Sequence, residues 1–229
     1  REAEEIILEA LARYAPGVPV IAEEAVSRGE RPRLDDAFFL VDPLDGTREF
    51  VSGGTDFTVN IGLIVERTPR FGLIYAPASD QLFVTVGSDE AVEIRVSPEA
   101  GPVSLDDVQT TPIRTREPDP ARLVAVASRS HRTPDTDRFL ADSRIASCRN
   151  IGSSLKFCLV ARGDADIYPR FGQTSEWDTA AGHAIVLAAG GLVTTLDKHP
   201  LEYGKSESGF TNPSFVVWGR SSLLPLIRL

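Results

Sequence analysis

The chain has no methionine, only two cysteines and only three histidines among its 229 residues. Cys148 and Cys158 form no Cys-x-x-Cys pair and sit in no cysteine-rich frame, which excludes a disulfide scaffold and points to a reduced, intracellular protein. The absence of any Asn-x-Ser/Thr acceptor agrees with that. Long apolar runs are also lacking. The longest, Ala184 to Val193, contains two glycines and falls well short of a membrane span. Basic charge is scarce as well: 24 Lys and Arg against 33 Asp and Glu leave a net −9, which argues against a general nucleic-acid or membrane-surface binder. An anionic ligand would then need local cations, from a metal or from a few placed Lys and Arg. Because the chain opens on Arg1 and has no Met, an N-terminal segment is expected to precede it, and any targeting signal would have stood there.

What is present is ordinary globular material, 42% hydrophobic and 25% charged, enough for one large domain or two small ones. Ile6, Ile7, Ala10 and Leu11 recur at helical spacing in Arg1–Tyr14, and Val18–Ala22 reads as a strand running into Glu23-Glu24. Ala37–Val41 is a further strand. Phe57–Glu66 and Arg70–Ala76 look like a hairpin, followed by strands at Leu82–Val86 and Val92–Val96. The Pro-, Thr- and Asp-rich stretch Glu99–Pro120 is the expected boundary between an α+β half, 1–110, and an α/β half, 121–229. In the second half, strands are predicted at Leu123–Ala127, Ala165–Tyr168, Leu192–Leu196 and Phe215–Trp218. Helices are predicted at Pro134–Ala141, Ser154–Ala161 and Trp177–Ala189, with a closing helix near Leu223–Leu229. Together these suggest a layered αβ sandwich.

The most informative run is Val41-Asp42-Pro43-Leu44-Asp45-Gly46-Thr47-Arg48-Glu49-Phe50. Two carboxylates stand three residues apart at the end of an apolar strand, around a rigid Pro, with a Gly-Thr turn directly after. Closely spaced Asp residues in fixed geometry offer the hard oxygen ligands that suit Mg²⁺. The glycine can take backbone angles closed to other residues, so the following N–H groups can point at an anion. Alone, the run also fits an acidic turn with a helix cap. Glu23 beside Glu24 likewise fits a solvated pair, and Asp178 fits ordinary complementation of a helix dipole.

Taken together, Glu-Glu after a strand, Asp-Pro-Leu-Asp-Gly-Thr about twenty residues on, and Trp-Asp-Thr-Ala-Ala-Gly near the C-terminus resemble the Mg²⁺-dependent, lithium-sensitive phosphatases of the inositol monophosphatase superfamily. The resemblance runs from about Arg1 to Trp218. It implies the αβαβα sandwich that these enzymes share with fructose-1,6-bisphosphatases. It also implies two or three Mg²⁺ ions held by Glu23, Asp42, Asp45, Asp178 and the backbone carbonyl of Leu44. Thr47 would help orient the attacking water, and the amides of Gly46 and Thr47 would hold the phosphate. Paired metals activate water and neutralise the leaving oxygen, which the very slow hydrolysis of phosphate monoesters requires. Oxygen donors throughout, with so few histidines, favour Mg²⁺ over Zn²⁺.

Asp-Gly-Thr-Arg-Glu-Phe most resembles the 3'(2'),5'-bisphosphate nucleotidase branch, which usually carries Lys where this chain has Arg48. A bisphosphate needs a second anion cradle away from the metals. Ser128-Arg129-Ser130-His131 follows a strand, and Gly152-Ser153-Ser154-Leu155-Lys156 opens a helix. By resemblance, Ser130, His131, Ser153, Lys156 and Arg170 would hold the non-reacting phosphate; singly, each also reads as a cap or a surface cation. The implied reaction converts 3'-phosphoadenosine 5'-phosphate to AMP and phosphate, clearing a by-product of sulfate assimilation. An inositol or other sugar-phosphate phosphatase and a silent metal- or nucleotide-binding protein are the alternatives. The expected partner is thus a small phosphorylated molecule, not nucleic acid. The expected location is cytoplasmic, with or without peripheral association with the inner membrane. Gly204-Lys205-Ser206 is no P-loop, because His199 stands where the earlier Gly is required. His183, in an Ala-rich helix, is read as structural. The family's Thr-x-x-Asp segment, whose acid pairs with the residue equivalent to Thr47, would fall just before Arg1.

Overall fold

The computed structural model describes residues 2–30, 33–142 and 144–227. Six helices, α1 (Glu2–Tyr14), α2 (Glu23–Ser27), α3 (Thr47–Val51), α4 (Pro134–Leu140), α5 (Leu155–Ala161) and α6 (Ala180–Ala188), accompany the strands among the described residues. The first seven strands are β1 (Val20–Ala22), β2 (Ala37–Asp45), β3 (Thr58–Val65), β4 (Thr68–Ala76), β5 (Gln81–Thr85), β6 (Ala91–Arg95) and β7 (Thr110–Ile113). They form one sheet in simple sequence order, parallel between β1 and β2 and antiparallel thereafter. The later strands are β8 (Leu123–Ser128), β9 (Ile145–Ile151), β10 (Ile167–Arg170), β11 (Thr174–Ser175), β12 (Leu192–Thr195), β13 (Thr211–Asn212) and β14 (Phe215–Trp218). Five of them form a mixed sheet ordered β12-β14-β10-β8-β9, and β11 pairs with β13 alone.

The layers alternate. Ile7, Leu8 and Leu11 of α1 pack on Val20, Val41 and Ile61, covering the outer face of the seven-stranded sheet. Against its inner face lie α6 and α5, whose residues join both sheets in one core. On the far side of the five-stranded sheet, Phe139 of α4 packs with Leu123, Ile167, Val216 and Trp218. This is an αβαβα sandwich.

Close approach at the centre depends on two glycines. Gly62 of β3 and Gly72 of β4 face each other across the ladder. A Cβ on Gly72 would stand 2.1 Å from the carbonyl oxygen of Ala181, and one on Gly62 would stand 2.7 Å from the Ala180 methyl. Gly182 does the same on the opposite face of α6, where a Cβ would meet the Phe157 ring at 2.4 Å. A helix of Ala and Gly is therefore wedged between a sheet and a second helix with almost no side chain in between.

Several predicted elements differ. The buried stripe of α1 is Glu4, Ile7, Leu8 and Leu11, while Ile6 is 61% exposed and Ala10 also faces solvent. Glu4 belongs in that stripe because its carboxylate accepts the Glu24 backbone N–H at 3.0 Å and pairs with Arg28. β9 has no counterpart in the sequence pattern: at the sheet edge it exposes Ser147, Arg149 and Asn150, so no apolar run marks it. β7 lies inside the Pro- and Thr-rich stretch and is unmarked for the same reason. The helix predicted at Trp177–Ala189 begins as a 3₁₀ turn, Glu176–Asp178, and breaks at Thr179 before α6. The closing helix is replaced by a 3₁₀ turn at Ser221–Leu223 and further turns, because Pro225 cannot donate to a helical ladder. The last two residues of that predicted helix, Arg228 and Leu229, lie outside the described residues.

Candidate active site

Four separate local devices bring four acids to one wall. β1 runs parallel to β2 with Ala22 opposite Val41, so Glu23, the first residue of α2, emerges beside Asp42 and shares a hydrogen bond with it. Between Asp42 and Asp45 the register with β3 slips, and this bulge carries both carboxylates towards the same side. Asp42 is 2% exposed and accepts the Leu44 N–H at 2.9 Å. Gly46 then turns the chain with φ 88°, where a Cβ would meet the Asp56 carbonyl oxygen at 2.6 Å. Asp178 closes the wall from the other half. Its carboxylate accepts the Ser175 N–H at 2.8 Å in a reciprocal capping box.

Glu23, Asp42, Leu44, Asp45, Gly46, Thr47 and Asp178 line a cavity of about 290 Å³. Burial, followed by the charges of Asp45, Glu23 and Asp178, pushes the Asp42 carboxyl well above its usual range. Burial and Asp45 push Asp178 up to about 7. Glu23 and Asp45 are also raised, each chiefly by burial; Lys156 and Asn60 oppose the effect at Asp45. Among the described residues, no three His, Cys, Asp or Glu side chains converge into a ready-made ion cage. The donor set nevertheless fits a hard divalent cation. Its groups are all oxygen donors, and carboxyls whose pKa values are raised by burial and mutual repulsion are stabilised in the ionised form by an adjacent cation.

The same cavity is also lined by the cations Arg48, Lys156 and Arg170 and by His131, with Glu49, Ser128, Gly152, Ser153 and Tyr168. The charges of Lys156 and Arg170 act on Asp45. The buried Lys156 ammonium donates to the carbonyls of Ile151, at 3.3 Å, and Ser153, and it lies 5.4 Å from the centre of the Tyr168 ring. Burial lowers its pKa to about 8. Arg170 is 8% exposed. One terminal nitrogen donates to the Gln173 carbonyl at 2.9 Å, while the Nε–H has no protein partner. A buried guanidinium donor left in this state lacks an acceptor of the kind an anion supplies. Burial and the Arg170 and Arg48 charges hold His131 below the ordinary histidine range, although its ring is exposed at the cavity edge.

Of the predicted site residues, Ser130 stands apart. It does not line the cavity; its hydroxyl donates to the Glu49 carboxylate, which does. Thr47 is on the wall, but its hydroxyl donates to the Leu44 carbonyl at 3.1 Å. Sequence reasoning missed Glu49, Ser128 and the polar groups behind the wall. Glu176 is fully buried and accepts the N–H groups of Gly204 and Lys205 at 2.8 and 2.9 Å, pairing with the Lys205 ammonium at 2.7 Å. Asn212 donates to the Ser175 carbonyl at 2.8 Å and to Thr179 at 3.0 Å, and Tyr203 bridges Thr179 to His183. His183 is thus off the cavity, as its Ala-rich surroundings suggest. The available signal for these groups was a polar residue inside an apolar run, as with Asn60 in β3.

Residues 1–219 match the inositol monophosphatase family. The 3'(2'),5'-bisphosphate nucleotidase CysQ of Escherichia coli is 40% identical over 212 residues, 93% of this chain and 80% of that protein. The crystal structure of CysQ from Bacteroides thetaiotaomicron superposes with a TM-score of 0.77 at 39% identity, covering 94% of this chain and 81% of that one. An inositol monophosphatase from Anabaena superposes with a TM-score of 0.75 at 27% identity, covering 97% and 82%. The chain belongs to the inositol monophosphatase family.

Proposed function

We propose that this protein is a Mg²⁺-dependent 3'(2'),5'-bisphosphate nucleotidase that hydrolyses 3'-phosphoadenosine 5'-phosphate to AMP and phosphate. The observation that carries the reading is the make-up of one cavity, which four acids line together with Arg48, His131, Lys156 and Arg170. A substrate with one phosphate to cleave and another to be held matches both groups. The similarity to nucleotidases named CysQ supports the same substrate.

Glu23, Asp42, Asp45, Asp178 and the Leu44 carbonyl would hold the ions, which supply a water of lowered pKa and neutralise the leaving oxygen. Asp45 and the backbone amides of Gly46 and Thr47 orient the 3'-phosphate. Glu23, Asp42 and the Thr47 hydroxyl orient the water whose oxygen bonds to phosphorus as the bond from phosphorus to the ribose 3'-oxygen breaks. The Thr47 proton already lies on the Leu44 carbonyl, so its oxygen lone pairs are left to accept from that water. Lys156, Arg170, His131 and Ser153 hold the 5'-phosphate, and Ser130, whose hydroxyl is taken by Glu49, is left out of that cradle.

Lys156→Ala tests the reading. A charge-assisted hydrogen bond of ~1.5–3 kcal/mol implies a KM for the nucleotide bisphosphate raised roughly 10- to 150-fold. Inositol 1-phosphate has no second phosphate to place, so its kcat/KM should change far less. Taking the ratio of the two substrates cancels any general loosening from the freed Ile151 and Ser153 carbonyls. Equal losses on both substrates would remove the second cradle and favour an inositol phosphatase.

A further inference from the structure

Three of the four acids come from the first half of the chain, and His131, Lys156 and Arg170 come from the second; a buried chain of side chains joins Asp45 to the turn before Lys156. Asn60 of β3 is fully buried on the inner face of the sheet. Its amide nitrogen donates to the Asp45 carboxylate at 3.4 Å, and its amide oxygen accepts the Ser154 hydroxyl at 2.7 Å. Ser154, 2% exposed, precedes α5 and comes from the half that carries Ser153 and Lys156. Its backbone N–H also reaches Asp45, which makes a closed ring of Asp45, Asn60 and Ser154. Thr58, likewise fully buried, lies 2.8 Å from the Ser154 hydroxyl but is not a member of the ring.

The two halves are pressed together here with no room to slip. A Cβ on Gly46 would stand 3.3 Å from that of Ser153, and one on Gly152 would stand 2.8 Å from that of Asp56. Gly152 also donates its N–H to Asp56 at 2.9 Å. Any shift of the turn before α5 is therefore passed to the Asp45 carboxylate, through the Ser154 backbone N–H and through the Asn60 side chain.

We propose that Asn60 is a positioning residue that couples Asp45 to the turn carrying Ser153 and Lys156. By tying Asp45 to Ser154, it makes ion binding at the acid wall depend on how that turn is held. This rests on the reading of Asp45 as an ion ligand. A change on the Ser154 side must then appear in ion affinity. Ser154 provides the sharper test, since it is no ion ligand and lies on the other half of the chain.

The experiment titrates Mg²⁺ alone, by calorimetry, into the wild type and the variants Asn60→Ala, Ser154→Ala and Thr58→Val, with no nucleotide present. Melting curves confirm that each variant is folded. Asn60→Ala should weaken Mg²⁺ binding about 10- to 100-fold, as loss of a partner behind a ligand does. Ser154→Ala should weaken it at least about 5-fold. Added to Asn60→Ala, it should do nothing further, because the link is already cut. Thr58→Val removes an equally buried hydroxyl from the same neighbour without touching the link to Asp45, and should shift affinity less than about 2-fold. If Asn60→Ala does not fold, Ser154→Ala against Thr58→Val still decides. Unchanged Mg²⁺ affinity in Ser154→Ala, or an equal loss in Thr58→Val, overturns the coupling while leaving the ion site intact. A wild type that does not bind Mg²⁺ overturns both the coupling and the metal reading beneath it.

Discussion

Replacing Gly72 with alanine adds one methyl group at the tightest contact in the molecule. Its Cβ would stand 2.1 Å from the Ala181 carbonyl oxygen and 3.0 Å from the Ala184 methyl. A carbon and a carbonyl oxygen normally meet at ~3.3 Å or more, so α6 must retreat by roughly 1 Å. It has nowhere to go, because Gly182 on its other side already touches Phe157. Overpacking of this kind costs ~1–3 kcal/mol, and the absence of an escape route puts Gly72→Ala at the upper end. The midpoint of urea unfolding measures it. Gly87→Ala is the control: its Cβ meets nothing within 4 Å, and the change should stay within ~0.5 kcal/mol. Activity should fall more than stability alone explains, because α6 follows directly on Asp178 and Thr179. A misplacement of ~1 Å at a reacting centre can cost ~100-fold in rate. Phosphate release from 3'-phosphoadenosine 5'-phosphate, under conditions where the variant is fully folded, tests this second effect. An unchanged unfolding midpoint in Gly72→Ala would refute the account of how α6 is seated.

Asp178→Asn should lower kcat by several orders of magnitude at saturating Mg²⁺, because it removes charge that steadies an ion in the transition state; phosphate release reads it, and near-normal turnover would remove Asp178 from the ion site. His183 supplies a pH signature of stability: burial depresses its pKa from 6.5 to about 3. Its folded pKa lies below its unfolded one, so the folded protein gains no proton there as pH falls through 6.5, whereas the unfolded chain does. Stability is therefore lost progressively from about pH 6.5 down to about 3, by ~2.5 kcal/mol between pH 6 and pH 4. Urea unfolding across that range, wild type against His183→Asn, isolates the effect; parallel curves would mean that His183 takes up its proton in the fold.

The acids of the site were legible in the sequence because each stands at the end of an apolar run, where polarity has to be explained. Asp42 and Asp45 follow five apolar residues, and Asp178 precedes an Ala-rich helix. What holds them was not legible, since it depends on residues far apart in the chain. Glu176 meets Gly204 and Lys205, and Asn60 meets Ser154, across separations of 28, 29 and 94 residues. Ser130 illustrates the limit: its position after β8 suggests a phosphate contact, and only the fold shows α3 coming between, with Glu49 taking the hydroxyl. Strands are recognisable where one face is buried and escape notice where both faces carry polar residues, as in β9. The break at Thr179 was hidden because Asp178 caps back to Ser175 rather than entering the helix, a choice that helical periodicity does not encode.

The arrangement shows how a chain of net charge −9 could hold the highly anionic substrate proposed for it. Surface charge repels such a ligand, so attraction has to be local and paired with shape. Two of the cations, Lys156 and Arg170, are buried, and backbone carbonyls occupy only part of their donor capacity. The acids are crowded beyond what water would tolerate, which makes them demand positive charge. On the proposed reading, acids that call for positive charge and cations that call for an anion share one cavity, so a molecule with two phosphates would be oriented by electrostatics before any base is recognised. The ring around Asn60 serves that purpose, because it fixes Asp45 relative to the turn that carries Lys156.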